Sequence, residues 1–276
     1  MTRPPVCSVG PVPFGGGRLA LIAGPCLAES ADLCLAVAER LAELCAELGV
    51  GYVFKASFDK ANRTRLASPR GPGLADGLKM LADVREKLSL PVLSDVHDVA
   101  QVAPAAEVLD CLQVPAFLCR QTDLLLAAGA AGKPVNIKKG QFVAPWDMAG
   151  AVEKVRSTGN EQVLLTERGT CFGYNRLVTD FRGIQQMRAL GPVVFDATHS
   201  VQEPGGLGSA SGGCPQYVPA LAGAAMAAGA DALFVETHPD PPAAMSDAAS
   251  MVRLDEMAPL LRRCLAVFEA VRERPA

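Results

Sequence analysis

The chain has few aromatic residues, no strong excess of charge and none of the paired cysteines of a structural zinc site. Of its 276 residues, 5% are aromatic and 20% are charged, and 26 basic against 29 acidic residues leave a net charge of -3. Because the charges nearly balance, no overall positive field attracts nucleic acid or an anionic membrane, and we expect neither as a partner.

Long hydrophobic runs are also missing. The most apolar segment, 220–230, is shorter than the roughly 20 residues that cross a bilayer. Prolines and glycines interrupt residues 1–20, where a secretory signal would need a continuous apolar stretch. The nine cysteines are odd in number and scattered, so we expect reduced thiols in a cytoplasmic protein.

What the chain does contain is 50% hydrophobic residues, in short strand-like runs that alternate with longer helical segments such as 31–48, 74–88 and 255–272. The eight predicted strands are 18–24, 52–57, 91–96, 108–115, 134–139, 162–168, 193–199 and 232–238. Eight such units predict an α/β fold, a single (β/α)8 TIM barrel over 1–276, with residues 5–13 as a short hairpin that caps the barrel bottom. A doubly wound open sheet is the alternative, but the first strand ends in IAGPCLAE, which is not a GxGxxG fingerprint.

Polar residues cluster where the predicted strands end, which is where TIM barrels carry their active sites. These residues are Lys55, Ser57, Asp95, His97, Gln113, Asn136, Lys138, Thr166, Arg168, His199, Glu236 and His238. Each alone is an ordinary solvated strand end, but buried charges need partners. Lys55, Lys138 and Arg168 predict a ring of positive charge that binds phosphate or carboxylate.

A second group predicts a metal site. Closing the barrel places strand eight beside strand one, which brings Cys26, His199 and Glu236 together, and Asp247 lies in a loop that can fold over the same end. One thiolate, one imidazole and two carboxylates suit a divalent transition metal such as Zn, Fe(II), Mn or Co. An inert buried thiol is the alternative for Cys26, and we interpret His238 as a packing or supporting histidine.

Nine motifs resemble the family of 3-deoxy-D-manno-octulosonate 8-phosphate (KDO-8-phosphate) synthases over essentially the whole chain. They are IAGPCLAES (22–30), FKASFDKANR (54–63), RGPGL (70–74), LSDVHD (93–98), LQVPAFLCRQTDLL (112–125), NIKKGQF (136–142), LTERGTCFGYN (165–175), FDATHSVQ (195–202) and FVETHPDP (234–241). The resemblance implies condensation of phosphoenolpyruvate with D-arabinose 5-phosphate and water, for lipopolysaccharide biosynthesis, by a homotetramer.

The resemblance also implies residue roles. Phosphoenolpyruvate would be held by Lys55, Ser57, Gln113, Lys138 and Arg168, with Asp95 and Gln113 orienting Lys55 and the substrates. Arabinose 5-phosphate would be held by Lys60, Asn62, Arg63 and Thr64. The implied catalytic set is Cys26, Lys55, Lys60, Asp95 and His199.

Members of this family divide into metal-dependent enzymes with Cys after the first strand and metal-independent ones with Asn there. This chain has Cys26, and the SDAAS sequence around Asp247 is similar to that of the metal-dependent class. The resemblance therefore implies Cys26, His199, Glu236 and Asp247 as ligands of a divalent metal ion.

Three stretches depart from the family pattern. Thr64 and Arg65 replace Ser-Ser, SGGCPQ occupies 211–216, and MVRL occupies 251–254. Arg65 either points into solvent or alters the grip on the sugar phosphate. These departures concern sugar specificity and loop closure more than the reaction type.

Three other functions are weighed against this one. A synthase of the seven-carbon sugar phosphate would use erythrose 4-phosphate. A class I aldolase would use Lys138 or Lys55 as its Schiff-base nucleophile, and metal dependence would count against it. A non-catalytic barrel would bind a sugar phosphate without releasing phosphate.

Overall fold

Eight parallel strands close into a barrel in the computed structural model, which describes residues 6–206, 208 and 211–272. The barrel strands are β1 (Ala20–Gly24), β2 (Gly51–Lys55), β3 (Val92–Asp95), β4 (Cys111–Val114), β5 (Val135–Lys138), β6 (Val163–Glu167), β7 (Val193–Asp196) and β8 (Ala232–His238). Each pairs with the next, and β8 pairs with both β7 and β1. The predicted TIM barrel is confirmed over the open sheet.

A helix follows each strand and covers the outside of the barrel. The helices are α1 (Ala31–Leu48), α2 (Leu74–Leu88), α3 (Val99–Val108), α4 (Thr122–Ala130), α5 (Met148–Arg156), α6 (Arg182–Arg188), α7 (Val218–Ala227) and α8 (Met257–Arg272). Local sequence sets their ends: the Ser30 side chain accepts a hydrogen bond from the Leu33 amide at the start of α1, and Gly49 ends that helix in the left-handed conformation.

Side chains alternate along each strand, so each strand contributes to two cores. Outward residues such as Leu21 and Phe54 pack against the helices. Inward residues such as Ile22, Leu164 and Phe234 fill the lower barrel. Polar side chains are inward only toward the carboxyl ends of the strands, so the barrel is apolar at its bottom and polar at its top.

The predicted hairpin caps the apolar bottom. Strands Cys7–Val9 and Val12–Phe14 pair antiparallel, and their buried side chains join the same core as the inward residues of the barrel. The Ser8 amide donates to Gln162, just before β6 begins, which places the hairpin at the amino ends of the strands. Residue 5 of the predicted segment lies outside the described residues.

Several short elements lie around the barrel. Two-residue strands pair Thr170–Cys171 with Leu177–Val178 and Gln202–Glu203 with Gly212–Gly213, and Val252–Arg253 extends beside β8. Short 3-10 helices occupy Ala116–Leu118, Pro145–Asp147, His199–Val201, Pro215–Tyr217, Pro241–Ala243 and Leu254–Glu256. All nine cysteines are free. Over the described residues, no helix is both long and apolar enough to cross a membrane.

Seven of the eight predicted strands are longer than the observed ones, and the fourth and the seventh differ most. The fourth begins at Cys111 because Val99–Val108 continues as helix α3. The seventh ends at Asp196, and His199 lies in the 3-10 turn that follows. The shorter seventh strand makes Asp196, and not His199, the residue that ends the strand inside the barrel.

Candidate active site

A cavity of about 760 Å³ opens at the carboxyl ends of the strands. Its lining includes most of the residues that the sequence singled out, among them Lys55, Lys60, Asn62, Arg63, Thr64, Asp95, Gln113, Lys138, Arg168, His199, Glu236 and Asp247. Arg65 is exposed and is not among the lining residues. The structure therefore places most of the predicted site residues around one chamber, whereas Cys26 and Ser57 are fully buried beside it and Arg65 lies outside it.

Three of the four predicted metal ligands form a close cluster at this cavity, and the fourth, His199, lies beside it. The Cys26 sulfur lies 3.1 Å from Asp247 Oδ2, and donor atoms of Cys26, Glu236 and Asp247 all lie within 4.8 Å of one another. His199 Nε2 is 3.6 Å from Glu236 Oε2 and 3.9 Å from Asp247 Oδ2. Strand closure brings them together, since Cys26 follows β1, Glu236 lies on β8 and His199 follows β7.

The free atoms of this cluster fit a transition metal ion. Glu236 is 1% exposed, yet its Oε2 has no hydrogen-bond partner among the described residues, which is costly without a ligand. Burial and the neighbouring Glu236 carboxylate raise the pKa of the Cys26 thiol well above its usual value. A metal ion would supply the positive charge that a buried thiolate needs, and the mixed S, N and O donors suit Zn, Fe(II), Mn or Co.

His199 is oriented by a carboxylate that the sequence analysis did not identify. His199 Nδ1 lies 2.8 Å from Asp196 Oδ2, and the His199 backbone amide donates to Asp196 Oδ1. Ligating histidines usually bond a carboxylate in this way, which leaves Nε2 free for the metal. Alternate residues of a strand point to the same side, so an inward Val194 on β7 predicts an inward Asp196. This pattern is the sequence signal for Asp196.

Two predicted members of the positive ring are paired with carboxylates. Lys55 Nζ lies 2.7 Å from Glu236 Oε1, and Lys138 Nζ lies 2.6 Å from Asp196 Oδ2. Burial works against ionised carboxylates, but Lys55, Lys60 and His199 keep the pKa of Glu236 well below the usual range. His199 and Lys138 do the same for the pKa of Asp196. The three predicted cations lie together in the chamber, but two of them are paired with carboxylates that the prediction of a positive ring did not include.

Arg168 differs from the two lysines. It is 5% exposed, and no carboxylate within the described part of the chain lies within ion-pair distance of it. Its Nη2 donates to Gln202 over 3.0 Å, whereas its buried Nη1 has no partner. A guanidinium with one free arm in a cavity is suited to an anionic ligand.

Lys60 lies in the loop that follows β2, and its side chain reaches the metal cluster. Its Nζ donates to Ser57 Oγ over 3.0 Å and lies 3.7 Å from Glu236 Oε1. Burial alone would lower the pKa of Lys60, but Cys26, Glu236 and Asp95 overcome this effect and raise it. Lys60 is therefore held as a cation at the edge of the cluster.

Asp95 does not orient Lys55, so that prediction was wrong. Asp95 accepts hydrogen bonds from Ser57 and from His97 Nε2, the latter over 2.7 Å. Lys55 is held instead by Glu236 and by the Cys26 carbonyl oxygen at 3.3 Å. Lys55 thus reaches across β1 to Glu236 on β8. β1 ends in Gly24, where a side chain would collide with the Lys55 carbonyl oxygen.

A layer of amides supports the chamber from below. Gln113 accepts a hydrogen bond from Asn136, which in turn accepts one from Thr166, over 3.0 and 2.6 Å. These bonds cross from β4 to β6 and fix the orientation of the Gln113 side chain. The Gln113 amide therefore lines the cavity in a fixed orientation.

Arg63 is engaged with protein oxygens. It donates to the Pro69 carbonyl, to Ser246 Oγ and to the Met245 carbonyl over 2.6, 2.8 and 3.2 Å. It thus ties the loop after β2 to the loop that carries Asp247. A phosphate that bound Arg63 would compete with these contacts.

His238 accepts a hydrogen bond at Nδ1 from the Asp240 amide over 3.0 Å and is not among the cavity-lining residues. This geometry agrees with its interpretation as a supporting histidine.

The sequence comparisons agree with the geometry. Residues 9–272 match the sequence model of the DAHP synthetase I family. A 2-dehydro-3-deoxyphosphooctonate aldolase of Syntrophotalea carbinolica is 60% identical over 98% of both chains. Proteins of the same name from Desulfotalea psychrophila and a Synechococcus species are 56% and 58% identical, each over 94% of this chain and 92% and 91% of their own. The chain therefore belongs to the DAHP synthetase I family.

Proposed function

We propose that this chain condenses phosphoenolpyruvate with D-arabinose 5-phosphate and water, giving 3-deoxy-D-manno-octulosonate 8-phosphate and inorganic phosphate. Relatives at 55–60% identity carry the name of this octulosonate enzyme, which favours the eight-carbon product over the seven-carbon one. C3 of phosphoenolpyruvate attacks the sugar aldehyde, water adds at C2, and the hemiketal phosphate then loses phosphate by C–O cleavage.

The observation that carries the proposal is the meeting of two kinds of group in one cavity. The buried cations Lys138 and Arg168 line the same cavity as Glu236 and Asp247, which form the donor cluster together with Cys26. Two anionic substrates repel each other in water, so a catalyst for their union needs fixed positive charge to hold them in reacting geometry.

The free Nη1 of Arg168 supports its role as a ligand for phosphoenolpyruvate, together with Lys138, Lys55, Ser57 and Gln113. Burial lowers the pKa of Lys138, and Asp196 opposes that effect, so the Lys138–Asp196 pair keeps a charged amine beside the substrate. Fixed donors of this kind need no reorganisation as phosphate leaves.

Cys26, His199, Glu236 and Asp247 would hold a divalent metal ion such as Zn, Fe(II), Mn or Co. When bound, the ion would supply Lewis acidity that orients the aldehyde or the attacking water without redox change. Glu236 also holds Lys55, so the same carboxylate joins the metal cluster to the phosphoenolpyruvate side of the cavity.

The loop after β2 would bind the sugar phosphate through Lys60, Asn62, Arg63 and Thr64, all of which line the cavity. Lys60 and Asp95 would act next to the reacting groups as members of the catalytic set. We further propose that the chain is a single-domain, cytoplasmic protein that forms a homotetramer and that its product enters lipopolysaccharide biosynthesis.

A substrate panel tests the reaction. Purified protein is given phosphoenolpyruvate with arabinose 5-phosphate or with erythrose 4-phosphate, and released phosphate is measured. We expect release with arabinose 5-phosphate alone, and Arg168→Met should raise the KM for phosphoenolpyruvate. Release with erythrose 4-phosphate alone would favour the seven-carbon product, and no release with either sugar would contradict a synthase.

A further inference from the structure

The side chain of Gln202 connects the two halves of the cavity. Its Oε1 accepts a hydrogen bond from Arg168 Nη2 over 3.0 Å, and its Nε2 donates to Asp247 Oδ1 over 2.9 Å. A guanidinium only donates and a carboxylate only accepts, so the two neighbours fix which way the amide points. Among neutral side chains of this length, only an amide can satisfy both.

Gln202 forms a hydrogen bond with only one atom of Arg168 and one atom of Asp247. Arg168 lines the cavity and keeps Nη1, which is buried and has no hydrogen-bond partner in the described structure. Asp247 keeps Oδ2, which lies 3.1 Å from the Cys26 sulfur and 3.9 Å from His199 Nε2. The atoms left over are the ones that would meet an anion on one side and a metal ion on the other.

The backbone around Gln202 is also tied to the loop that carries Asp247. Gln202 pairs with Gly213, and the Cys214 amide donates to the Val201 carbonyl over 3.0 Å. A Cβ at Gly213 would lie 2.8 Å from the Ala249 carbonyl oxygen, so only glycine permits this close approach. The two segments are therefore packed together, and a shift of one moves the other.

Asp247 itself has an unusual backbone conformation. Its φ of 49° lies in the left-handed region, which a non-glycine residue adopts at a cost unless its surroundings hold it there. The bond from Gln202 and the contact with Cys26 supply such support. Losing the Gln202 amide would free Asp247 to leave the position in which it completes the metal site.

We propose that Gln202 is a positioning residue that couples the affinities of the anion site and the metal site. This inference rests on the proposed function, because it takes Arg168 as an anion ligand and Asp247 as a metal ligand. An anion on Nη1 fixes Arg168, Arg168 fixes the Gln202 amide, and the amide fixes Asp247. By thermodynamic linkage, phosphoenolpyruvate then tightens metal binding by the same factor by which the metal tightens phosphoenolpyruvate binding.

The test measures binding rather than turnover. Metal-free protein is titrated with Co²⁺, and the visible absorption of the bound ion gives its Kd with and without phosphoenolpyruvate, in the absence of any sugar. Gln202→Met keeps the length of the side chain and removes both hydrogen bonds. Gln186→Met, at an exposed position on α6, is the matched control.

In the unaltered protein and in Gln186→Met, we expect phosphoenolpyruvate to lower the Kd for Co²⁺ by about tenfold, within the range of ordinary allosteric couplings. In Gln202→Met this factor should fall to near one. Gln202→Glu should still bind phosphoenolpyruvate, because its carboxylate accepts from Arg168, but the coupling should be lost because the donor to Asp247 is gone.

The possible results distinguish a failure of this inference from a failure of the proposed function. If phosphoenolpyruvate changed the Kd for Co²⁺ by the same factor in the unaltered protein and in Gln202→Met, the inference alone would be overturned. The same holds if the unaltered protein bound both ligands but phosphoenolpyruvate left the Kd for Co²⁺ unchanged. If the unaltered protein bound no Co²⁺, the metal site and the inference would fall together, whereas phosphate release in the substrate panel would still support the reaction.

Discussion

Lys138 on β5 and Asp196 on β7 form an ion pair of 2.6 Å inside the barrel, and β6 lies between their strands. The same carboxylate also accepts from His199, so Asp196 links the proposed anion site to the proposed metal site. One buried carboxylate thereby sets the orientation of a cation and of an imidazole.

Replacing this carboxylate should impair the site more than the fold. Asp196→Asn removes the charge that holds Lys138 and His199, and we expect a 10–100-fold loss of metal affinity or activity, as for other carboxylates that support a ligating histidine. Metal titration and phosphate release measure the effect. Asp180→Asn, at an exposed residue paired with Arg182, is the control and should leave both unchanged. Wild-type metal affinity in Asp196→Asn would show that His199 needs no such support.

A second buried ion pair supports Arg168 from behind. Lys139 is fully buried, its Nζ lies 3.5 Å from Glu167 Oε1, and it donates to Thr170 and two carbonyl oxygens. The same Glu167 oxygen accepts from the Arg168 and Gly169 amides over 3.0 and 2.7 Å. The pair therefore fixes the backbone that carries the Arg168 side chain.

Breaking this pair from one side should destabilise the protein. Lys139→Met leaves a buried carboxylate without its cation, and we expect a loss of about 3–5 kcal/mol in the free energy of unfolding. Glu167→Gln alone should also destabilise, while the double variant should lose less than the sum of the two. Urea unfolding of the four proteins measures this, and strictly additive losses would mean that the two charges do not interact.

His97 gives the protein a predicted dependence of stability on pH. Burial alone would lower the pKa of His97, but the hydrogen bond to Asp95 and its charge raise it above the usual value. A raised folded pKa means that the pair stabilises the fold fully below about pH 6.5, the value in unfolded chains. This contribution is lost as the pH rises through the folded pKa.

His97→Gln isolates that contribution, since its amide donates at any pH. As the pH rises from 6 to 9, the free energy of unfolding of wild type should fall relative to that of His97→Gln. Ring titration by NMR is a direct check, because the chain has only three histidines. A difference that does not vary with pH would exclude a charged His97–Asp95 pair.

Arg65 lies in the loop that would bind the sugar phosphate but does not line the cavity. It is exposed and is not among the lining residues, whereas its neighbour Thr64 is. Arg65→Ser should therefore leave the KM for arabinose 5-phosphate within about twofold, since surface substitutions are typically worth under ~0.5 kcal/mol. A much larger KM would show that Arg65 reaches the phosphate when the substrate binds.

The sequence predicted the barrel because strand and helix periodicity is local. It also predicted the approach of Cys26, Glu236 and Asp247, because closing eight strands leaves β8 beside β1. Asp196 was missed because the seventh strand was predicted to extend to His199. The partner of Lys55 was missed because Glu236 was assigned to the metal site alone, whereas its two oxygens serve both groups. Gln202 was not assigned a role, because its two hydrogen bonds join side chains of three different loops, whose orientations the strand order does not set.

The central claim is a metal-dependent condensation at the Cys26 cluster. The most direct measurement is phosphate release from phosphoenolpyruvate and arabinose 5-phosphate by wild type and Cys26→Ala, before chelation, after chelation, and after adding back Zn²⁺, Mn²⁺ or Co²⁺. We predict that chelation abolishes release by wild type, that at least one metal restores it, and that Cys26→Ala neither binds metal nor turns over. Full turnover by a Cys26→Ala protein shown to contain no metal would contradict the account.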